Sequence, residues 1–385
     1  MQTLDLLTPR LTRMTNFTRI ETKGNAAPEN RGVQAGGSAA HHRIHALDLL
    51  RAVMMLAGVL FHTVISYRVT PSALWTFKDE ATTYLADFIV LLIYMSRMPI
   101  FFVLAGFFAA LLYFRRGAEP FARNRVVRIA LPFAVGWTVL HPLVMGGFLF
   151  ANAAQARSLG DGLSAALARF MDGSLFFSDT TLHLWFLYDL MFFYAAALVL
   201  VPLTIRLPRA LRDGAIAAFA AVVARPILRL SILVLATMGV VLPMGGMLRT
   251  STSFVPDGQL LLAYGLFFGF GWLLYLKRDL VPGFERFAWT QTLMGLLLFV
   301  AMGTIVGFMI GQGALGFPIM ILNALRGALV PWLLFFGLTG LFLRYFDRPS
   351  PVARYVADSS YWIYLIHLPL TIWLAGLLSD GEFVS

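Results

Sequence analysis

The amino-acid sequence predicts an all-α fold, a polytopic bundle of about nine helices that cross a membrane. Of its 385 residues, 59% are hydrophobic and only 13% are charged, and its mean hydropathy is +0.75. Soluble domains are about 45–50% apolar and about 25% charged, so this composition excludes a soluble globular enzyme. A membrane span needs about 20 mostly apolar residues, and such segments recur from Leu49 to Leu378. The chain has no cysteine, which excludes disulfides and catalytic thiols.

The predicted elements are apolar runs separated by polar turns. Residues 1–46 are polar and basic, and we predict that they form a disordered cytoplasmic tail. Residues 47–378 form the predicted transmembrane domain, and residues 379–385 a short periplasmic tail. Ala215–Ala224 is too short to span and is predicted to lie along the membrane surface. The nine predicted spans are Leu49–Tyr67, Tyr84–Phe114, Ile129–Phe150, Leu182–Leu203, Pro226–Met247, Gln259–Leu276, Ala288–Ile310, Phe317–Leu343 and Tyr355–Leu378.

The basic residues are distributed unequally between the two sides of these spans. With nine spans, 22 Lys and Arg residues fall on the side of the N-terminus and 5 fall on the other side. Cytoplasmic loops of membrane proteins carry the excess of Lys and Arg. We therefore predict a cytoplasmic N-terminus and a periplasmic C-terminus. The net charge of +10 is explained by topology, and we expect no nucleic-acid partner.

Ionisable residues inside a span cost about 2.5–3.5 kcal/mol each on insertion scales, so they mark candidate functional sites. Arg51 and His62 are eleven residues apart, which places them on one helix face, roughly 16 Å apart. Asp48 lies one turn before Arg51 and can pair with it. The alternative is that Arg51 reaches the membrane surface and His62 is a satisfied core histidine.

The second predicted span contains Arg97 followed by Pro99. A proline inside a span predicts a broken helix whose freed carbonyl lines a polar cavity. The alternative role for Arg97 is a structural ion pair with Asp189, the one deep carboxylate in the sequence. His141, in the third span, is predicted to be structural.

Further polar residues are predicted near the outer surface and the middle of the membrane. His183 and Trp185 open the fourth span, although Trp185 alone is typical of an interfacial aromatic belt. Tyr364 and His367 lie on one face of the ninth span, at about the depth of Arg326. The resulting column of imidazoles and guanidiniums suits an anionic ligand that enters from the basic side and meets a neutral imidazole base at the far end.

Two other function classes account for polar residues in a membrane. A secondary transporter or flippase, moving an anionic substrate or a glycolipid, predicts related halves with paired broken helices, and the sequence has no evident internal repeat. A catalytically inactive scaffold is the other alternative.

Five stretches of the sequence, taken in order, resemble the acyltransferase-3 family of integral membrane acyltransferases. Within that family they are most like the osmoregulated periplasmic glucan succinyltransferases. The matching stretches are Leu47 to Arg51 followed by His62, Arg97 to Gly106, Arg123 to Pro132, His183 to Leu187 and Tyr364 to Pro369.

The resemblance implies a bacterial inner-membrane enzyme that moves an acyl group from cytoplasmic acyl-coenzyme A to a hydroxyl of a periplasmic glucan or another extracytoplasmic glycan. Succinyl is favoured over acetyl, and we expect no metal and no permanently bound cofactor. Two departures are Ala105, where the family often has serine, and an expected lack of the family's last helix. The expected catalytic residues are His62, Arg51 and Arg97, the expected substrate-binding residues are His183, Trp185, Arg326, Tyr364 and His367, and the arginines expected to bind the coenzyme A phosphates are Arg123, Arg125 and Arg128.

Overall fold

A computed structural model describes residues 45–71, 75–313 and 316–378, and their regular structure is helical, which confirms the predicted fold class. The helices are α1 His45–Val64, α2 Tyr84–Arg116, α3 Ala118–Arg125, α4 Leu131–Ala156, α5 Leu159–Met171, α6 Trp185–Ile205, α7 Arg209–Val223, α8 Pro226–Val241, α9 Gly258–Leu276, α10 Ala288–Gly311, α11 Phe317–Phe346 and α12 Pro351–Leu378.

Within these described ranges, nine helical segments are long and apolar enough to cross a membrane, as predicted. The third segment is longer than expected, because α3 and α4 are joined by a π-helical turn at Val126–Ala130 into one run over Ala118–Ala156. The predicted surface stretch Ala215–Ala224 lies in α7 and its C-cap, and this helix is too short to count among the nine.

Helix α5 was not predicted. Its apolar residues lie on one face, and it folds back against α4, burying Gly162 and Ala166. A Cβ at Gly162 would lie only 2.7 Å from the carbonyl oxygen of Phe150, so the close approach of the two helices requires glycine at this position. A helix of 13 residues that mixes apolar and polar side chains does not form a long apolar run. Hydropathy alone therefore does not distinguish it from a loop.

Helix α2 packs against α1, α9 and α11 and forms the centre of the bundle. Its closest contact is with α9, where a Cβ on either Gly106 or Gly271 would overlap backbone carbonyl groups of the facing helix. Small residues let membrane helices approach closely and gain van der Waals contact. This packing holds the part of α2 that follows Pro99 against α9.

The prediction that Pro99 breaks its helix is wrong, since α2 is continuous over 33 residues. The packing of neighbouring helices tolerates the one hydrogen bond that proline removes. Four other internal prolines also lie within continuous helices, so the described residues do not contain the paired broken helices expected of a transporter. These prolines are Pro142, Pro202, Pro331 and Pro369.

The end of the bundle where α1 begins carries the basic segments 115–128, 206–229, 277–286 and 344–354, and we call it the basic end. Here the backbone N–H of Ala46 donates to the Asp347 carboxylate at 3.1 Å. The predicted tails fall outside the described residues, except that His45 and Ala46 already belong to α1.

Candidate active site

A cavity of about 780 Å³ lies in the half of the bundle away from the basic end. Its walls come from the end of α1, the first half of α2, the second half of α4, the start of α6, the middle of α12 and residues 247–252 before α9. Five residues predicted to form the site line this one cavity, although they are far apart in the sequence. They are His62, Arg97, His183, Trp185 and Tyr364.

His62 lies in the last turn of α1, and its ring stacks on Trp75, with the ring centroids 5.7 Å apart. The indole N–H of Trp75 donates to the hydroxyl of Ser66 at 2.8 Å, which fixes the plane of the indole. One nitrogen of His62, Nδ1, is buried and has no hydrogen-bond partner among the described residues. The imidazole is therefore held in place from one side and borders the cavity on the other.

Arg97 lies roughly 20 Å along α2 from the first residue of that helix, Tyr84. Its Nε donates to the carbonyl oxygen of Met54 at 3.1 Å, and its guanidinium lies so close to Gly58 that a Cβ there would overlap it. Glycine at position 58 is therefore what lets the charged group reach α1.

No carboxylate described in the structure lies within ion-pairing distance of Arg97, so the predicted alternative, an ion pair with Asp189, is wrong. The described residues that line the cavity also include no Asp or Glu. Because an uncompensated charge in a membrane is costly, this guanidinium is suited to bind an anionic ligand or a developing negative charge.

Two hydrogen bonds join His183 to the neighbouring residues Tyr364 and Leu365 of α12. The His183 Nε2–H donates to the carbonyl oxygen of Leu365 at 3.0 Å, and the Tyr364 hydroxyl donates to the carbonyl oxygen of His183 at 2.7 Å. Leu182, just before His183, has a φ of +49°. A non-glycine residue in this left-handed region is uncommon and often marks a functional site.

His367 lies next to both His62 and His183. Its ring centroid is 5.2 Å from that of His62 and 5.9 Å from that of His183. It is buried and does not line the cavity itself. Trp185 is also buried, borders the cavity and has its ring 5.6 Å from that of Tyr264. The interpretation of Trp185 as a residue of the interfacial belt is therefore wrong.

Three residues between α1 and α2 that line the cavity, Arg68, Trp75 and Thr76, were not predicted from the sequence. Arg68 pairs with Asp87 at 3.0 Å, and the side-chain amide of Asn152 donates to the hydroxyl of Thr76 at 2.8 Å. These bonds hold Trp75 and Thr76 over the cavity, and both line it. No motif in the sequence marks these residues, because the contacts form only between distant segments.

Arg51 lies near the basic end, as do the three arginines expected to bind the coenzyme A phosphates. Arg51 is 3.6 Å from Asp48 and lies over the ring of Phe108. Arg125 donates to the carbonyl oxygen of Phe108 at 3.5 Å and lies over Tyr194. Arg123 and Arg128 are exposed at the same end.

The face of α1 between Arg51 and His62 is closed by α12. The hydroxyl of Ser360 donates to the sulfur of Met55 at 3.3 Å, and both residues are buried. The structure therefore confirms that one continuous helix carries Arg51 and His62, and it places only His62 in the cavity.

Arg326 is not brought to the cavity. Its Nη2 donates to Asn323 at 2.9 Å, and its guanidinium lies against Gly303 of α10. The expectation that Arg326 binds the same substrate as Arg97 thus has no support from its position. His141 also lies outside the cavity lining, where its Nδ1 is 3.2 Å from the carbonyl oxygen of Leu175.

The sequence is similar to one protein family and to curated bacterial proteins. The family model of the acyltransferase domain, acyltransferase-3, matches residues 44–384. Glucans biosynthesis protein C of Salmonella typhimurium and that of Salmonella typhi are each 26% identical to this chain over 145 residues, which is 38% of this chain and 35% of each relative. The match therefore spans about a third of the length of these curated relatives. No solved structure matches the chain.

The family match covers all the described residues, including every helix that contributes to the cavity. It also contains nine segments able to cross a membrane within the described ranges. The chain therefore belongs to the acyltransferase-3 family.

Proposed function

We propose that this protein is a membrane acyltransferase that moves an acyl group, with succinyl favoured over acetyl, from acyl-coenzyme A to a hydroxyl of a periplasmic glucan or another extracytoplasmic glycan. The observation that carries the proposal is that His62 and Arg97 border the same cavity. His62 supplies a basic nitrogen, and Arg97 supplies a positive charge that no described carboxylate compensates.

The cavity walls suit a sugar acceptor. Trp75, Phe148 and Trp185 present flat aromatic surfaces, and Asn152 and Thr252 present neutral hydrogen-bonding groups. Binding pockets combine mostly apolar walls with a few placed polar groups. A sugar ring matches both, because its C–H faces are apolar and its hydroxyls donate and accept hydrogen bonds.

In the proposed reaction, His62 takes the proton of the acceptor hydroxyl while that oxygen attacks the thioester carbonyl carbon. Arg97 stabilises the negative charge that develops on the carbonyl oxygen. The carbon–sulfur bond then breaks, the sulfur of coenzyme A takes the proton from His62, and the new ester remains on the glycan.

The donor is proposed to bind with its phosphates at the basic end. Arg51, Arg123, Arg125 and Arg128 supply positive charge there, and arginine binds phosphate in bidentate fashion. The arm of coenzyme A must then span roughly 16 Å, the rise of α1 between Arg51 and His62. Because Ser360 and Met55 close this path, we propose that α12 moves away from α1 when the donor enters.

The proposed location is the bacterial inner membrane, with the bilayer as a partner and the basic end facing the cytoplasm. The bias of 22 basic residues against 5 supports this orientation. It puts the coenzyme A donor on the cytoplasmic side, and it puts the cavity in the outer half of the membrane, where a periplasmic glycan arrives.

Succinyl transfer predicts a change in the charge of the product. Periplasmic glucans from cells that express this protein are expected to elute later from an anion-exchange column than glucans from cells without it. Mild alkali, which hydrolyses esters, should reverse the shift. Cells that express His62→Gln serve as the control and should give the unshifted profile. Identical profiles with and without the protein would exclude succinylation of these glucans, and a neutral gain in mass would indicate acetyl transfer instead.

A further inference from the structure

Three buried histidine nitrogens at or near the cavity have no hydrogen-bond partner among the described residues. They are Nδ1 of His62, Nδ1 of His183 and Nε2 of His367. The rings of His62 and His367 are neighbours, with centroids 5.2 Å apart and planes tilted by 45°. A hydrogen bond of about 2.9 Å between ring nitrogens places two imidazole centroids roughly 5 Å apart. The separation is therefore right for a direct bond after a small ring rotation.

The backbone fixes which nitrogen of His367 carries the proton. Its Nδ1 lies 2.7 Å from the carbonyl oxygen of Tyr364 and 3.2 Å from that of Ile363. A carbonyl oxygen only accepts, so Nδ1 is the donor, and Nε2 of the neutral ring holds a lone pair. His367 can therefore accept a hydrogen bond at Nε2 but cannot donate one there.

His183 is a weaker candidate partner for His62. Its Nε2 donates to the carbonyl oxygen of Leu365, which leaves a lone pair on its buried Nδ1. Its ring, however, contacts those of His367 and Tyr364, at 5.9 and 6.1 Å. His367 lies in ring contact with both other histidines and is thus the acceptor nearest to His62.

We propose that His367 is a positioning residue for His62. Its Nε2 accepts the Nδ1–H of His62, directly or through one water, which leaves the lone pair of His62 on Nε2, the nitrogen available to the cavity. This inference rests on the proposed role of His62 as the base. A base whose second nitrogen is held by a third group keeps the correct tautomer, and the positive ring that forms on proton uptake is stabilised.

A neutral partner suits this site better than a carboxylate. Arg97 borders the same cavity and has no acidic partner among the described residues. A carboxylate at position 367 would be attracted to that guanidinium and would reduce its effect on the substrate. An imidazole orients His62 and leaves the positive charge of Arg97 uncompensated.

Two substitutions at position 367 separate this role from a structural one. Gln places an acceptor oxygen near the position of Nε2, whereas Asn keeps a donor near Nδ1 and has no group at Nε2. We expect His367→Gln to keep acyl transfer within about tenfold of wild type, and His367→Asn and His367→Leu to lose about 10²-fold. The control is His141→Gln, because His141 is also buried against a backbone carbonyl and lies outside the cavity. An active Asn variant with an inactive Gln variant would overturn the proposal.

A measurement that needs no acyl transfer tests the same idea separately from the proposed function. Nitrogen-15 spectra of histidine-labelled protein in lipid nanodiscs report which nitrogen of His62 is protonated, with the signal assigned from His62→Gln. The wild type is expected to carry the proton on Nδ1, and His367→Leu is expected to show a mixture of tautomers. A wild-type proton on Nε2, or an unchanged tautomer in His367→Leu, would overturn the proposal even if the enzyme is active.

Discussion

Replacing His62 with glutamine is expected to slow acyl transfer by about 10²-fold or more, while the protein stays at its normal level in the membrane. Glutamine keeps a polar side chain but has no nitrogen that takes up a proton. His62 borders the cavity and stacks on Trp75, so the change removes a base without emptying a packed core. Initial rates of acyl transfer by purified protein measure the effect.

The control for this experiment is His141→Gln, which removes a buried imidazole that does not line the cavity. It is expected to transfer acyl groups at close to the wild-type rate. If His62→Gln inserts normally and also works at the wild-type rate, His62 is not the base.

Arg97→Met is expected to lower acyl transfer by about 10²–10³-fold, the usual effect of removing one donor to a developing oxyanion. The loss should be larger with a succinyl donor than with an acetyl donor, because only the succinyl group carries a free carboxylate. Methionine removes a buried charge that costs about 2.5–3.5 kcal/mol on insertion scales. Poor insertion therefore would not explain the loss. Rates with the two labelled donors, measured side by side, check both parts.

Gly58→Ala tests the placement of the same guanidinium while keeping its charge. A methyl group at position 58 overlaps the guanidinium of Arg97 and must displace it, and a displacement of about 1 Å can cost up to 10²-fold in rate. Gly239→Ala is the matched control, since nothing lies within 4 Å of a Cβ at that helical glycine. Equal rates for Gly58→Ala and the wild type, alongside an inactive Arg97→Met, would contradict this placement of Arg97.

Hydropathy predicted the spans well because each one is a single long apolar run. The predicted starts of the second, fourth, fifth and eighth spans coincide with helical starts in the structure. Hydropathy did not predict α5, because its 13 residues do not form a long apolar run. This helix is stabilised by its packing on α4.

The site was predicted in part, because helical periodicity fixes which residues share a face but not which way that face points. The short motifs that contain His62, Arg97, His183 and Tyr364 do meet at one cavity. Arg326 was expected at a similar depth, but in the structure it lies against Gly303 of α10. Helix α11 is apolar on several sides, so its rotation depends on its neighbours. Trp75 was not predicted, because its position depends on contacts between distant segments.

The most direct test of the account is transfer across a membrane. Inside-out vesicles that hold the full-length protein and enclose periplasmic glucan are supplied with labelled succinyl-coenzyme A, or with labelled acetyl-coenzyme A, on the outside. Label is expected to reach the enclosed glucan in wild-type vesicles, more from the succinyl donor, and not to reach it in His62→Gln vesicles. Label that stays on coenzyme A in wild-type vesicles, or that reaches the glucan equally well in His62→Gln vesicles, would contradict this expectation.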